Sequence, residues 1–320
     1  MIRIGIDLGA NSIRLINEDS ILFNEPCLIA LDNHNHVLAI GNEAMEMRKH
    51  RDESIQVLFP ITSTSINFDA LDALLEQLCY QFKVFKKFHK KILLLSYPTG
   101  LSEEHRDMLK QHLLNLGAYR VYFDQEIWFS AIGAKLNLTL PITHCVMNIG
   151  SSNCDIATFS HGTIQDRLEC HLAGNQVILA LQKYLKEEKN LLTSYATLDT
   201  IQRKIGNVTY QSNPKSIQVQ GMDATTKEPK SISLDENEII KVLIPLVDQW
   251  AKWILRFIKG LSSEQQEDIR KRGIVACGGT MKLHGLQQEL CKRIDIPFFI
   301  TDDPVHTVAQ GIQILLSNMD

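Results

Sequence analysis

The sequence predicts an α/β protein made of two similar halves. Short apolar runs typical of strands alternate with apolar residues at helical spacing along the 320 residues, a pattern that favours layers of sheet and helix. An apolar strand leading into a glycine-containing turn also occurs three times, at 2–9, 145–152 and 274–280. The first two copies are each followed by a hairpin-like pattern, which predicts a duplicated layout. A chain of this length can form two domains with separate cores.

The individual elements follow from the spacing of apolar residues. Strands are predicted at 2–6, 13–16, 21–23, 27–31, 92–97, 120–123, 144–149, 155–159, 217–219 and 273–277. Apolar residues on one helical face predict helices around 71–78, 109–116, 177–185 and 239–254. The segment 207–237 is polar and rich in Ser, Thr, Asn and Pro, which is typical of a surface hairpin and loop on a smaller subdomain.

Composition narrows the class of protein. Hydrophobic residues make up 44% and charged residues 22% of the chain, as in a soluble globular protein. The formal net charge of -4 gives no general reason to expect nucleic-acid binding. No apolar run approaches a membrane span, and Met1 leads directly into a strand-like stretch without a secretion signal. The seven cysteines are scattered singly, which predicts a cytoplasmic, reduced and metal-free chain.

The three strand–turn segments also predict a ligand. Glycine lets the backbone come close to a bound molecule, and successive turn amides form an anion-binding nest. Two such turns facing each other across a cleft would hold the phosphates of a nucleotide from both sides. The third would then hold its base and sugar.

The order of short motifs resembles the actin, sugar-kinase and Hsp70 superfamily, and within it the bacterial actin MreB/Mbl group, over nearly the whole chain. The matching stretches include Asp7-Leu-Gly9, Glu126 followed by Ala131-Ile-Gly133, and Gly278-Gly279. This resemblance implies an α/β, actin-like two-domain fold with duplicated mixed five-stranded sheets, flanking helices and a nucleotide cleft between the domains. It implies domain IA at 1–31, 58–141 and 300–320, small subdomain IB at 32–57, domain IIA at 142–177 and 238–299, and small subdomain IIB at 178–237.

The resemblance also assigns roles to individual residues. Asp7 would face a phosphate-bound Mg²⁺ through water, and Glu126 would activate the attacking water. The plainer alternatives are an acidic turn residue that caps nearby amides and a first-turn helix glutamate. The implied contacts to ATP or ADP are Gly9, Ala10, Asn11, Asn148, Gly150, Ser151, Ser152, Gly174, Asp199, Gln202, Gly278, Gly279, Thr280 and Met281. For Asp199 and Gln202 a solvated helix position is the alternative, and for Gly174 a simple turn into a helix.

The second phosphate motif departs from the family pattern. The family has Asp-Ile-Gly-Gly-Gly-Thr, whereas this chain has Asn148-Ile-Gly150-Ser151-Ser152-Asn153. An amide cannot carry the charge that helps hold a metal and its water shell. We therefore expect retained or weakened nucleotide binding with slow or absent hydrolysis. The alternative is a degenerate site that binds nothing.

An aromatic and basic stretch at 82–91 suggests contact with a membrane. Its candidate residues are Phe82, Phe85, Lys86, Lys87 and Phe88. The rings would enter the lipid interface while each lysine attracts anionic headgroups by about 1 kcal/mol. The alternative is a helix end whose phenylalanines pack inside while the lysines are solvated.

The resemblance implies an MreB-like bacterial actin. Such a protein would bind ATP and Mg²⁺ and polymerise head to tail into cytoskeletal filaments that serve cell shape, and head-to-tail contacts in general generate open filaments. Its partners would be further copies of itself, the inner face of the cytoplasmic membrane, and other cytoskeletal or cell-wall synthesis proteins. Slow ATPase activity is left open. The alternatives are a non-polymerising actin-fold adaptor or membrane tether with a degenerate nucleotide site, and a sugar or small-molecule kinase.

Overall fold

A computed structural model of the protein describes residues 1–49, 52–62, 65–84, 89–97 and 102–319. The chain divides into two units. Unit 1 comprises Met1–Asn137 and His306–Asp320, and unit 2 comprises Leu138–Val305. Each unit has a five-stranded sheet, a smaller three-stranded sheet and its own core.

The large sheet of unit 1 has the strand order β3-β2-β1-β7-β8. These strands are β1 (Ile2–Leu8), β2 (Ser12–Ile16), β3 (Ile21–Pro26), β7 (Lys91–Tyr97) and β8 (Arg120–Gln125). The first three form an antiparallel meander, whereas β7 and β8 run parallel to β1. The small sheet has the order β5-β4-β6, with β4 (Ile29–Asp32), β5 (Val37–Ile40) and β6 (Ile55–Leu58).

Helices cover both faces of the large sheet of unit 1. They are α2 (Phe68–Gln81), α3 (Glu103–Asn115), α4 (Glu126–Gly133) and α10 (Thr307–Asn318), whereas α1 (Gly41–Lys49) packs against the small sheet. Leucines of α2 and α3 form one core with Ile4, Ile6 and Leu8 of β1. On the opposite face, α4 and α10 form a second core with Ile16 and Leu94.

Glycines allow α4 and α10 to come unusually close. A Cβ at Gly133 would lie 1.9 Å from the Thr307 carbonyl oxygen, and one at Gly311 would lie 1.9 Å from the Phe129 carbonyl oxygen. A Cβ at Gly5 would likewise meet Ile312 at 2.2 Å. Side chains at these positions would push the two helices away from each other and from the sheet.

The large sheet of unit 2 repeats the same topology in the order β11-β10-β9-β15-β16. Its strands are β9 (His144–Ile149), β10 (Cys154–Ser160), β11 (Thr163–Cys170), β15 (Ile274–Cys277) and β16 (Phe298–Ile300). Again the first three are antiparallel and the last two are parallel to the central strand. The small sheet contains β12 (Leu191–Leu192), β13 (Ser216–Asp223) and β14 (Pro229–Asp235).

Unit 2 has a short 3₁₀ helix at Gly279–Lys282 and five α-helices: α5 (Gly174–Glu188), α6 (Tyr195–Ile205), α7 (Glu236–Gly260), α8 (Ser263–Arg272) and α9 (Leu286–Ile294). A capping box between Asp235 and Glu238 starts α7, because each side chain satisfies a backbone N–H that the helix leaves unpaired. Trp250 of α7 is fully buried, and its indole Nε1 donates to the Leu172 carbonyl at 2.7 Å. This bond fixes α7 beneath the segment that leads into α5.

The predicted strands and the duplicated sheet are confirmed, and 207–237 does contain a hairpin, β13–β14. The prediction omitted β5, β6, β11, β12, β14 and β16. In β11 polar and charged residues occupy most positions and the burial alternates, and β12 and β16 are too short for a periodic signal. The division into four subdomains stays a prediction. Of the helices in the described ranges, none combines the length and apolar character that spanning a bilayer requires.

Candidate functional site

The amino-terminal turn follows β1. The Gly9 N–H donates to the Ser12 carbonyl at 3.1 Å and closes the turn between β1 and β2. Gly9 and Ala10 are half-buried and Asn11 is exposed. These three residues are therefore at least partly exposed, and their contact with a phosphate stays a prediction.

Asp7, the predicted metal-facing residue, is buried and already has partners. Its Oδ2 accepts a hydrogen bond from Arg14 Nη1 at 2.6 Å, and its Oδ1 accepts one from Ser96 Oγ at 2.8 Å. Ser96 Oγ in turn accepts from the Leu8 N–H at 3.2 Å. The Asp7 carboxylate is thus half of a buried ion pair, which the sequence did not predict.

These residues belong to a polar row that crosses the large sheet of unit 1. In register, Asn24 faces Arg14, Arg14 faces Asp7, Asp7 faces Ser96, and Ser96 faces Asp124. Directly opposed residues in neighbouring strands project from the same face of a sheet. We call Asn24, Arg14, Asp7, Ser96 and Asp124 the polar row.

The two ends of the polar row have different electrostatic surroundings. Burial raises the pKa of the Asp124 carboxyl, and the hydrogen bond from the Gln125 N–H offsets part of that rise. At the other end, Asn24 Nδ2 lies 3.1 Å from His306 Nε2. Arg14 is the one residue of the row whose side chain is always cationic.

Glu126 begins α4 and is half-buried. Its carbonyl accepts a hydrogen bond from Ser130 Oγ at 2.8 Å. A carboxylate in the first turn is stabilised by the helix dipole, so this position fits both the structural and the catalytic interpretation. Its role in water activation stays a prediction.

The second turn meets the start of α5 at a single carbonyl group. Gly150 closes the turn through its N–H, which donates to the Asn153 carbonyl at 2.9 Å. The Gly150 carbonyl accepts from the Gly174 N–H at 3.0 Å and from Thr280 Oγ1 at 2.8 Å. The structure therefore brings together the second phosphate motif, Gly174 and the third turn within unit 2.

The serines that replace the family glycines are partly engaged inside this network. The Ser151 carbonyl accepts from the Asn175 N–H at 2.7 Å, and Ser152 Oγ accepts from Asn175 Nδ2 at 3.1 Å. The first amides of α5 therefore satisfy carbonyls of the turn. Ser152 is buried and Ser151 is half-buried, so Ser151 is the better placed of the two to donate to a ligand.

The third turn needs glycine at Gly278. Its φ is +94°, and a Cβ there would lie 2.3 Å from the Ile149 carbonyl oxygen and 2.5 Å from Asn148 Oδ1. The glycine thus lets the third turn lie directly against the end of β9. At Gly279 an added Cβ would meet nothing within 4 Å, so the space above this residue is open.

Two residues of the third turn are less accessible than the sequence implied. Thr280 is buried, and its hydroxyl is bonded to Gly150. Met281, predicted beside the base, is 3% exposed and belongs to the core of unit 2. Its side chain has a packing role, and any contact with a base would require it to move.

Helix α6 carries the predicted ribose contacts. Asp199 pairs with Arg203 at 2.8 Å on the helix surface, and Gln202 is half-buried. After the helix, the Val208 N–H donates to the His284 carbonyl at 3.0 Å. The end of α6 therefore lies beside the segment that follows the third turn, whereas Asp199 fits the solvated alternative.

The predicted membrane-contacting stretch is only partly described. Phe85, Lys86, Lys87 and Phe88 lie outside the described residues. Phe82 packs edge to face on Phe23, with ring centroids 5.7 Å apart, and joins the core of α2 and α3. This residue follows the alternative in which a phenylalanine packs inside.

A magnesium ion fits these side chains poorly. Mg²⁺ prefers carboxylate and phosphate oxygens, but the Asp7 carboxylate is bound to Arg14 and Ser96. Asn148 offers a neutral amide. Within the described part of the chain, no group of three or more His, Cys, Asp or Glu side chains could hold a metal.

Sequence reasoning missed Arg14, Ser96 and Asp124. A signal was present for Arg14, because it is the only charged residue in the apolar strand Ser12–Ile16. Ser96 and Asp124 had none, since their place beside Asp7 follows only from the pairing of strands.

Comparison with known proteins covers the whole chain. A model of the MreB/Mbl protein family matches residues 1–320. The chain is 30% identical over 323 residues to the cell shape-determining protein Mbl of Bacillus subtilis (strain 168), an alignment that covers 99% of this chain and 96% of that protein.

Solved structures give the same result for the fold. The crystal structure of MreB5 of Spiroplasma citri bound to ADP matches with a TM-score of 0.91 at 27% identity, covering 99% of this chain and 97% of the other. The MamK double helical filament matches with a TM-score of 0.80 at 16% identity, covering 99% and 100%. The latter bears on the fold alone. The predicted actin-like fold is confirmed.

Proposed function

Because the chain belongs to the MreB/Mbl family of bacterial actin-like cytoskeletal proteins, we propose that it binds a nucleotide and polymerises head to tail into filaments. The observation that carries this proposal is the full-length likeness to MreB5 of Spiroplasma citri, which was crystallised with ADP. The relative from Bacillus subtilis is named for determining cell shape, and we propose the same role here.

Nucleotide binding is supported by the local geometry of each unit. In unit 1 Gly9 and Ala10 are half-buried and Asn11 is exposed at the end of a buried strand. In unit 2 the Gly150 carbonyl ties the second turn to Gly174 and Thr280, and the space above Gly279 is open. Turn amides of this kind bind anions, so ATP and ADP are the proposed ligands.

Mg²⁺ is proposed to bind together with the nucleotide. Mg²⁺ usually keeps several waters and binds the phosphates together with one or two carboxylates. Here Asp7 is paired with Arg14, and Asn148 carries no charge. The proposed Mg²⁺ would therefore be held by phosphate oxygens and water.

Polymerisation is tested by sedimentation. Purified protein with ATP should enter the pellet at high centrifugal force above a threshold concentration, and should stay in the supernatant below it. A protein that remains in the supernatant at every concentration, with ATP or without, would contradict filament formation.

A peripheral position at the inner face of the cytoplasmic membrane is also proposed, on the composition of the stretch at 82–91. Its basic residues would attract anionic headgroups while phenylalanine rings would enter the interface. Phe82 is excluded from that role because it packs on Phe23. The proposal therefore depends on Phe85 and Phe88.

A second candidate is a non-polymerising actin-fold adaptor or membrane tether. The observation that favours it is the altered pair of acidic positions, because Asp7 is neutralised by Arg14 and an amide stands at Asn148. The sedimentation experiment separates the two candidates. An adaptor would not polymerise, so the purified protein should show no threshold concentration above which it enters the pellet.

A further inference from the structure

Arg14 is a buried cation beside the amino-terminal turn. It lies in β2 two residues after Ser12, whose carbonyl closes that turn, and its side chain is 9% exposed. Nη1 binds Asp7 at 2.6 Å. Among the described residues, Arg14 Nε has no hydrogen-bond partner although it is buried.

The charge of this cation is permanent. A guanidinium keeps its proton throughout the pH range in which proteins are folded. Its planar set of N–H groups binds a carboxylate or a phosphate equally well. Arg14 thus takes, beside Asp7, the place that a divalent cation would have there, and its buried Nε–H has no partner of its own among the described residues.

The side chains around Arg14 are arranged to hold a cation that is itself part of the protein. Asp7 Oδ2 accepts a hydrogen bond from Arg14 and so orients it, and Asp7 Oδ1 accepts a hydrogen bond from Ser96. Asn24 lies opposite Arg14 on the next strand. A carboxylate held in this way has little capacity left to order the water shell of a metal.

We propose that Arg14 occupies, beside Asp7, the place that a divalent cation would otherwise take, so that the protein binds a nucleoside di- or triphosphate without requiring Mg²⁺. This inference rests on the proposed nucleotide binding. It concerns the cofactor requirement of that site and leaves polymerisation aside.

The test is calorimetric titration of the full-length protein with ATP, in excess Mg²⁺ and in excess EDTA. For the wild-type protein we expect the dissociation constant to change by less than about threefold on chelation. Arg14→Leu should bind about tenfold or more weakly in EDTA, and Mg²⁺ should restore part of that loss. Arg14→Lys keeps the charge and should stay insensitive to chelation.

Arg3→Leu is the matched control. Arg3 lies on β1 of the same sheet and forms an ion pair with Glu18 at 2.9 Å, away from the turn. This variant should bind ATP like the wild type under both conditions. If Arg14→Leu fails to fold, the wild-type comparison and Arg14→Lys decide the question.

Two failures can be told apart. A wild-type protein that binds ATP in Mg²⁺ and loses about tenfold or more in EDTA overturns the role of Arg14 and leaves the proposed function intact. A wild-type protein that binds ATP in neither condition overturns nucleotide binding itself, and with it this inference.

Discussion

Arg14 and Asp7 face each other across the antiparallel strands β2 and β1, and the guanidinium Nη1 lies 2.6 Å from the carboxylate Oδ2. Both side chains are more than nine-tenths buried. The charged groups are therefore shielded from water, and each compensates the other.

This pair predicts a large stability effect for a single substitution. Arg14→Leu leaves Asp7 buried without its counter-charge, which should lower the free energy of unfolding by about 3 kcal/mol. Adding Asp7→Asn should recover much of that loss, because no unpaired charge then remains. Urea denaturation measures both variants, and equal losses for the single and double variants would count against the pair.

Substitution of Gly278 should lower the stability of the protein, whereas substitution of Gly279 should weaken ligand binding. Gly278→Ala should lower the free energy of unfolding by about 1–3 kcal/mol, because φ is +94° and the new Cβ would lie 2.3 Å from the Ile149 carbonyl oxygen. Gly279→Ala meets no protein atom within 4 Å and should unfold like the wild type.

Gly279→Ala should nevertheless weaken ATP binding, because the methyl group occupies the space proposed for the nucleotide. Thermal unfolding together with calorimetry checks both variants. Wild-type affinity in Gly279→Ala would remove the third turn from the proposed site.

Hydrolysis should respond in opposite directions at two positions. Asn148→Asp restores the missing carboxylate and should raise the rate of phosphate release if that charge limits turnover. Adding Glu126→Ala should lower the raised rate by about a hundredfold, as expected for loss of a general base. Phosphate release is measured with saturating ATP and Mg²⁺. A rate in Asn148→Asp that does not respond to Glu126→Ala would show that Glu126 is structural.

Membrane binding should depend on the two phenylalanines whose role is proposed. Phe85→Ser with Phe88→Ser should abolish flotation with vesicles that contain anionic lipid, and should leave the melting temperature unchanged. Phe82→Ser is the contrasting variant. It removes the ring that packs on Phe23, so it should lower the melting temperature. Unchanged flotation of the double variant would rule out this mode of attachment.

The polar row predicts a pH-dependent stability difference. Burial raises the pKa of Asp124 above that of the unfolded chain, so the folded state holds this proton more tightly. The resulting stabilisation is complete below the unfolded pKa and is lost as pH rises through the folded pKa. Asp124→Asn should therefore gain stability relative to the wild type as pH rises from acid to neutral. Melting temperatures across that range measure the effect, and a constant difference would exclude it.

Much of the architecture could be predicted from local patterns. The apolar runs of β1 and β9 and the glycines after them indicated the duplicated sheet, because burial of a strand imposes a pattern on neighbouring residues. The glycine pair at 278–279 was also visible in the sequence, but the contact with Ile149 that requires glycine at Gly278 was not.

Partnerships between distant residues could not be predicted in this way. Ser96 binds Asp7 from 89 residues away, and Thr280 binds Gly150 from 130 residues away. Such pairs depend on strand order and register.

The sequence by itself thus determined most of the strands, which turns carry glycine and where the phosphate motif changes, because these features depend on residues close together in the chain. Only the tertiary structure decided that Arg14 neutralises Asp7, that Met281 packs in a core and that Phe82 contacts Phe23. The physical reason is that burial and pairing arise when separate elements pack together, and the residues of a single strand or helix do not specify which other elements it will contact.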